Sequence, residues 1–209
     1  MLMNIILSDL TGYMLGNLNG AFLVSYLVAN EDVRKRGSGN AGLTNFVRNY
    51  GGKPAVMVIG TDMGKAVLAC LVGGALLAPF GQEVAGRAIG GLSVILGHAV
   101  PALLGFKGGK GILSGVTVAL CLDWRIGLFV FSIFLVAYLI TKYVSLGSVL
   151  SAGSFGPIYA IVHPDAGIIP IAVACLLSFL VVWMHRGNIK RLIKGEERKT
   201  NLLGKGNKQ

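Results

Sequence analysis

Long apolar segments with few charges constrain this chain more than any other feature. Seven can be marked, at residues 5–30, 54–80, 87–106, 111–122, 126–143, 145–162 and 167–183. A helix needs about 20 apolar residues to cross the hydrocarbon core of a bilayer, and only the fourth segment falls well short of that length. Charged residues make up only 13% of the chain, about half their share in soluble domains. These features predict an all-α membrane protein, a bundle of seven transmembrane helices with a short fourth helix.

The basic residues indicate how the bundle is oriented. With the N-terminus outside, sixteen of the 19 Lys and Arg residues fall in cytoplasmic loops or in the C-terminal tail. Arg87 and Arg125 then lie outside, and Lys65 lies within a helix. Since positive loops stay in the cytoplasm, the N-terminus is predicted outside and the C-terminus cytoplasmic. The net charge of +10 is thereby attributed to topology, and no nucleic-acid partner is expected.

The domain organisation is predicted to be simple. Residues 1–197 are expected to form one transmembrane domain, followed by a polar, mobile cytoplasmic tail over 198–209. The three cysteines, Cys70, Cys121 and Cys175, lie in apolar runs without metal-ligand spacing. Neither a metal nor a cofactor is expected.

Four polar clusters interrupt the apolar pattern, at residues 36–48, 107–111, 142–148 and 185–191. All four fall on the cytoplasmic side in the predicted topology, whereas the outside loops contain little that is comparable. This asymmetry predicts a single functional site at the cytoplasmic surface of the membrane.

The first cluster combines glycines with neutral donors and one arginine. Ser38, Asn40, Thr44 and Asn45 supply donors, and Arg48 is suited to a bidentate contact with phosphate. Glycines between them allow tight turns that present N–H groups to an anion. The alternative is a flexible loop whose basic residues only set topology.

The second cluster, Lys107 to Gly111, precedes the short fourth segment. Twelve residues at about 1.5 Å each form a helix of roughly 18 Å, against a hydrocarbon core of about 30 Å. If this helix begins below the membrane surface, its first N–H groups and two lysines face a polar cavity, an arrangement suited to phosphate. The alternative is an ordinary glycine-rich hairpin.

The third and fourth clusters follow helical spacing. Ser145 and Ser148 share one helix face, as do His185 and Asn188, with Arg191 one turn further. Capping, packing or a solvated basic helix end would also explain these residues.

The apolar segments also contain Asp62, Lys65 and His98, and a charge there is costly unless it is paired or faces the interior of the bundle. Asp62 and Lys65 are three residues apart in the second segment and are expected to form an internal ion pair, with a direct substrate role as the alternative. His98, near the inner end of the third segment, is expected to be a hydrogen-bonded packing residue.

The available side chains narrow the chemistry. The chain lacks a Gly-x-Ser-x-Gly elbow, a His-x4-Asp signature and a carboxylate cluster for Mg²⁺. The chemistry that these absences leave open is anion binding, by lysine, arginine, serine and asparagine side chains and by backbone N–H groups. An enzyme with these groups needs a substrate that is already activated.

At this point the motifs match a known family. Gly37–Asn45, Gly97-His98, Phe106–Gly111, Tyr143–Ser148 and His185–Leu192 resemble, in order and spacing, the bacterial acyl-phosphate-dependent glycerol-3-phosphate acyltransferases, the PlsY family. The resemblance covers roughly residues 5–197. It implies a seven-helix inner-membrane enzyme that transfers a fatty acyl group from acyl-phosphate to glycerol 3-phosphate, making lysophosphatidic acid for phospholipid biosynthesis, with membrane lipids around it.

The residue patterns and the resemblance together define an expected site. Its catalytic residues are expected to be Lys107, Lys110, Ser145, His185 and Asn188. Its substrate- and phosphate-binding residues are expected to be Ser38, Gly39, Asn40, Asn45, Arg48, Gly108, Gly109, Gly111 and Ser148. The lysines would hold phosphate and stabilise the oxyanion, and the hydroxyl proton would pass to a substrate phosphate.

Two alternatives remain open. A transporter or channel for a phosphorylated metabolite would use the same anion-binding groups, although the outer halves of the segments carry few polar residues. The chain departs from the family pattern at Ala66, Val100 and residues 112–115. A paralogous acyltransferase with another acceptor alcohol is therefore the second alternative.

Overall fold

The computed structural model describes residues 1–200, which form ten α-helices without any strand. The all-α prediction is therefore confirmed for this part of the chain. In chain order the helices are α1 (Leu2–Asn17), α2 (Gly20–Ala29), α3 (Leu43–Tyr50), α4 (Gly52–Leu77), α5 (Glu83–Ala99), α6 (Ile112–Leu122), α7 (Trp124–Thr141), α8 (Val144–Val162), α9 (Ile168–Met184) and α10 (Arg186–Ile193).

Four stretches within residues 1–200 are long and apolar enough to cross a membrane. They are Gly52–Phe80, Glu83–Leu104, Trp124–Thr141 and Val144–Val162. Helices α9 and α10 pass the same criteria only as a pair bent by 56°, and α6 is a shorter apolar helix. Seven spans and the outward N-terminus therefore stay predictions.

The first apolar segment is not one continuous helix, because α1 ends at Asn17 and α2 begins at Gly20. The Asn19 side chain caps α2 by accepting a hydrogen bond from the Phe22 N–H at 2.9 Å. A break of this kind leaves backbone carbonyl and N–H groups without helical partners, and in an apolar bundle these groups must be paired elsewhere.

A buried ion pair from α4 supplies those partners. Lys65 Nζ lies 2.7 Å from Asp62 Oδ1, and both side chains are only 2% exposed. The same ammonium donates to the Leu18 carbonyl at 2.8 Å, while the Gly20 N–H donates to Asp62 Oδ1 at 3.1 Å. The pair therefore joins the two halves of the broken first segment to α4.

Small residues allow close packing around α5, which contacts α1, α4, α6 and α9. A Cβ atom on Gly16 would lie 2.4 Å from the Val94 carbonyl oxygen, and one on Gly73 would lie 2.2 Å from the Gly86 carbonyl oxygen. Larger residues at these positions would push α1 and α4 away from α5. Such close approach is typical of helix pairs in membranes.

The short α6 is set into the bundle between α4 and α7. It follows Gly111, whose φ of 76° is left-handed, and it ends at Leu122. The next residue, Asp123, caps α7, because its side chain accepts from the Arg125 N–H at 2.8 Å. Its 11 residues span about 16 Å, roughly half of the hydrocarbon core. The first turn of α6 therefore starts beside the loops that carry the polar clusters.

The ion pair generates a stability prediction. Asp62→Asn leaves the buried Lys65 ammonium without its counter-charge, so we expect the free energy of unfolding in detergent to fall by about 3–5 kcal/mol. The double variant Asp62→Asn/Lys65→Met should lose less, because it removes both charges. The exposed Glu31–Arg36 pair provides the control, and Glu31→Gln should cost less than about 1 kcal/mol. A small loss in Asp62→Asn would contradict this account.

Candidate functional site

One large cavity, of about 1220 Å³, opens where the four polar clusters meet. Its polar lining comes from the loop before α3, from the start of α6, from α8 and from the region around α10. The expected site residues on its wall are Ser38, Asn40, Asn45, Arg48, Lys110, Gly111, Ser145, Ser148, His185 and Asn188. Gly39, Lys107, Gly108 and Gly109 do not line it.

The loop before α3 is held in shape by Asn45. Its Oδ1 accepts from the Ser38 N–H at 2.9 Å, and its Nδ2 donates to the carbonyls of Val33 and Arg36 at 3.1 Å each. Asn45 therefore has a structural role, because its side-chain amide makes hydrogen bonds to the backbone of the loop. The Asn40 amide donates to the Gly108 carbonyl at 3.4 Å and connects this loop to the next.

The glycines of the second loop serve packing. The N–H groups of Gly108 and Gly109 donate to the Ala99 and His98 carbonyls, at 3.2 and 3.0 Å, and close the end of α5. A Cβ on Gly108 would lie 2.0 Å from the His98 carbonyl oxygen. The backbone donors left for an anion are those in the first turn of α6, which have no carbonyl one turn earlier in the helix.

The two lysines of this loop have different surroundings. Lys110 lines the cavity, and its Nζ donates to the Asn188 side-chain oxygen in a short hydrogen bond. Lys107 is exposed, and the Arg34 guanidinium holds its carbonyl at 3.1 Å. The structure thus brings Lys110 to the other site residues and leaves Lys107 outside the cavity wall.

A carboxylate that sequence reasoning missed organises the centre of the site. Glu197 Oε1 accepts from Ser145 Oγ at 2.9 Å and from Asn188 Nδ2 at 2.8 Å, while its Oε2 accepts from Arg191 at 2.7 Å. Its side chain is only 6% exposed. Burial raises the pKa of this carboxyl, but the hydrogen bonds outweigh burial and hold the pKa below its usual value. The one available signal was the Glu-Glu pair that follows α10.

The chain after Glu197 also lies against the site. Arg48 donates to the Thr200 hydroxyl at 2.9 Å and to the Arg198 carbonyl at 3.1 Å. The Thr200 N–H donates to the Lys142 carbonyl at 3.0 Å. Residues 198–200 of the predicted tail therefore contact the bundle, and the rest of that tail lies outside the described residues.

His185 is a neutral acceptor at the junction of α9 and α10. Its Nδ1 lies 2.8 Å from the Val181 carbonyl, which can only accept, so the proton sits on Nδ1 and Nε2 carries a lone pair. Burial, aided by the charge of Lys110, lowers the pKa of His185 to about 4. The imidazole is uncharged at neutral pH and can accept a hydrogen bond from a substrate hydroxyl.

Six basic side chains line the cavity, which suits a doubly charged anion; they are Arg48, Lys110, Arg186, Lys190, Arg191 and Arg198. Burial is the main cause that lowers the pKa of Lys110 to about 8; Glu197 opposes this shift, and the charges of Arg191 and Arg48 contribute to it. At pH 7 the lysine is still protonated. Within residues 1–200, no group of three or more His, Cys, Asp and Glu side chains is placed to hold a metal ion.

The comparisons with known proteins agree on one family. A family model described as glycerol-3-phosphate acyltransferase matches residues 6–195. A glycerol-3-phosphate acyltransferase of Clostridioides difficile (strain 630) is 40% identical over 197 residues, which cover 93% of this chain and 94% of the relative. One from Prochlorococcus marinus (strain MIT 9215) is 40% identical over 94% of this chain and 98% of its own length.

Solved structures show the same similarity. A crystal structure of PlsY (YgiH), an integral membrane glycerol 3-phosphate acyltransferase, in its glycerol 3-phosphate form matches with a TM-score of 0.85 and 30% identity. The lysophosphatidic acid form of that protein matches with a TM-score of 0.82 and 29% identity. Each comparison covers 95% of this chain and 96% of the other.

The position of Lys110 predicts how anion binding depends on pH. Since its pKa is lowered to about 8, the ammonium loses its proton as pH rises through that value. We expect sulfate, which does not titrate in this range, to bind several-fold more weakly at pH 9 than at pH 7 by titration calorimetry. Lys110→Arg keeps its charge and should bind with little pH dependence, whereas Lys53→Arg should behave like the parent. Equal pH dependence in Lys110→Arg and the parent would contradict the prediction.

Proposed function

This chain belongs to the glycerol-3-phosphate acyltransferase family and is an acyltransferase of lipid biosynthesis, and from that premise we propose its substrates and the site of transfer. The enzyme transfers a fatty acyl group from an acyl-phosphate to glycerol 3-phosphate, and the transfer takes place in the cavity, at the cytoplasmic face of a bacterial inner membrane. The products are lysophosphatidic acid and inorganic phosphate. The observation that carries the proposal is the continuity, within one cavity, of a cationic polar end and an apolar crevice.

The polar end is suited to two phosphate groups. Arg48, Lys110 and Arg191 supply positive charge, and the first turn of α6 supplies N–H groups and the positive end of a helix dipole. Arg48 can hold a phosphate through two N–H groups, which favours it as the clamp for glycerol 3-phosphate. The likeness to PlsY (YgiH), solved in glycerol 3-phosphate and lysophosphatidic acid forms, supports this assignment.

The apolar crevice is suited to the acyl chain. It is formed by α6 and α7 and lined by Ile112, Leu113, Val116, Leu120, Leu128, Phe131, Phe134, Leu135 and Leu139. Several of the α7 side chains are exposed on the lipid side, so a chain can enter from the bilayer. At the other end the helices meet, since a Cβ on Gly127 would lie 2.6 Å from Leu120. The crevice therefore opens beside Lys110 and closes one helix length away.

The proposed reaction joins an activated acyl donor, the acyl-phosphate, to an acceptor hydroxyl that the site holds in position. The hydroxyl of glycerol 3-phosphate attacks the acyl carbonyl carbon, a new ester C–O bond forms, and the C–O bond to phosphate breaks. His185 Nε2 accepts a hydrogen bond from the attacking hydroxyl, but a pKa of about 4 makes it a poor proton acceptor. The proton passes to the departing phosphate. Lys110 and the α6 N–H groups stabilise the charge that develops on the oxygens.

A transfer assay tests the proposal. Detergent-purified protein is given glycerol 3-phosphate with either acyl-phosphate or acyl-CoA, and we expect lysophosphatidic acid only with acyl-phosphate. Lys110→Ala should lower kcat/KM at least 100-fold, because a preorganised charged donor to the transition state is lost. Lys53→Ala, an exposed lysine away from the cavity, is the matched control and should retain activity.

Several outcomes would reject this function. Product with acyl-CoA alone, or full activity in Lys110→Ala, would contradict the donor or the site. Transfer to a different phosphorylated alcohol in preference to glycerol 3-phosphate would favour a paralogous acyltransferase. Counterflow of glycerol 3-phosphate in liposomes without acyl transfer would favour a transporter.

The crevice generates a separate prediction about chain length. Val116 lies partway along it, so Val116→Phe should obstruct long chains but leave room for short ones. We expect kcat/KM for palmitoyl-phosphate to fall about tenfold or more relative to that for octanoyl-phosphate. Val136→Phe, on an exposed part of α7 outside the cavity wall, is the control. An unchanged ratio in Val116→Phe would place the acyl chain elsewhere.

A further inference from the structure

His98 is a polar side chain on the cavity wall for which the proposed reaction has no role so far. It lies in the last turn of α5, its side chain is 5% exposed, and it lines the same cavity as Lys110 and Gly111. From sequence it was expected to be a packing residue. Its two ring nitrogens, however, have different surroundings.

The Nδ1 atom faces the buried ion pair. It lies 2.8 Å from Lys65 Nζ, and its distance of 3.6 Å from Asp62 Oδ1 is too long for a hydrogen bond. An ammonium has donors only, and this one is charged because it also contacts Asp62 at 2.7 Å. Nδ1 must therefore accept from Lys65. The neutral ring then carries its proton on Nε2, the opposite tautomer to that of His185.

The Nε2 atom faces the loop that precedes α6. A Cβ on Gly109 would lie 2.1 Å from Nε2, so the missing side chain at this position is what gives the ring its space. No atom in the described part of the chain is a hydrogen-bond partner of Nε2. His98 is part of the wall of the cavity that Lys110 and Gly111 also line, so a ligand oxygen in the cavity can reach this donor and pair with it.

We propose that His98 contacts substrate, its Nε2–H donating to an oxygen of a phosphate bound at the start of α6, and that Asp62 and Lys65 act as positioning residues that hold this tautomer. The inference rests on the proposed function and adds a donor to the site. It connects the ion pair to the chemistry, because the ammonium that closes the break in the first segment also orients the ring.

A neutral donor is suited to this position. Six basic side chains and only two carboxylates, Asp62 and Glu197, line the cavity. A further positive charge would add repulsion, whereas an N–H group adds a hydrogen bond without net charge. Both the acyl-phosphate and glycerol 3-phosphate carry the group that His98 recognises. The kinetic experiment distinguishes them, because the KM of only one substrate should respond.

Two substitutions separate the ring nitrogens. His98→Gln places an N–H donor near the Nε2 position, whereas His98→Asn places its amide near Nδ1. We expect His98→Asn to raise the KM for one of the two phosphate substrates about tenfold or more, the effect of losing a hydrogen bond to a charged group. His98→Gln should stay within about threefold of the parent. His163→Gln, at the opposite end of the bundle, is the control and should be unchanged.

Thermal unfolding in detergent is measured for all variants, so that a folding defect is recognised. Unchanged KM values in His98→Asn would overturn the proposal. Equal loss of activity in His98→Asn and His98→Gln, together with equal loss of stability, would also overturn it by showing a packing role. Lys65→Met should show the KM effect of His98→Asn, and an unchanged KM there would refute the positioning role.

Nitrogen NMR of the histidines gives a readout that does not depend on turnover. The chain has only three histidines, so ¹⁵N-histidine spectra of the parent and of single His→Gln variants assign each ring. We expect an Nε2–H tautomer for His98 and an Nδ1–H tautomer for His185, with the His98 signal moving when inorganic phosphate is added. An Nδ1–H tautomer at His98, or no response to phosphate, would refute the proposal. Because no acyl donor is present, this result stands even if the transfer assay rejects the proposed function.

Discussion

The buried contact between Asp62 and Lys65 is the interaction on which the rest of this structure depends. Two charges away from water are stable only when they are paired and their remaining hydrogen bonds are satisfied. Here the broken first segment satisfies them, with the Leu18 carbonyl on the ammonium and the Gly20 N–H on the carboxylate. The break and the ion pair are therefore one feature, since each supplies the partners that the other lacks.

The same principle organises the polar end of the bundle. Lys110, Asn188, Glu197 and Ser145 form a chain of hydrogen bonds in which cation and carboxylate are linked through an amide. Glu197 balances part of the positive charge and holds two neutral groups in position. The arrangement leaves net positive charge at the cavity wall, which is the electrostatic condition for taking up a phosphate. It also explains how a chain segment 52 residues from Ser145 becomes part of the site.

The sequence predicted what depends on composition and local spacing. The polar clusters meet at one cavity because each begins or ends an apolar helix, and the shortness of α6 follows from counting residues. Asp62 and Lys65 were paired because their spacing places them on one helix face. Long-range contacts were not predictable in this way. One example is the contact between the Arg34 guanidinium and the Lys107 carbonyl, which are 73 residues apart. Another is the pairing of the Gly108 and Gly109 N–H groups with carbonyls at the end of α5. The Glu-Glu pair after α10 was the one local signal for Glu197, and it does not indicate that this carboxylate reaches Ser145 and Asn188.

In the proposed reaction, one cavity holds a phosphate beside the start of α6 and a fatty chain between α6 and α7. The most direct measurement is an experimental structure with glycerol 3-phosphate and a non-transferable acyl-phosphonate bound. We expect a phosphate group within hydrogen-bonding range of Lys110 and the first turn of α6, with the acyl chain running from there toward Gly127. A phosphonate bound outside this cavity, or an acyl chain on another face of the bundle, would contradict it.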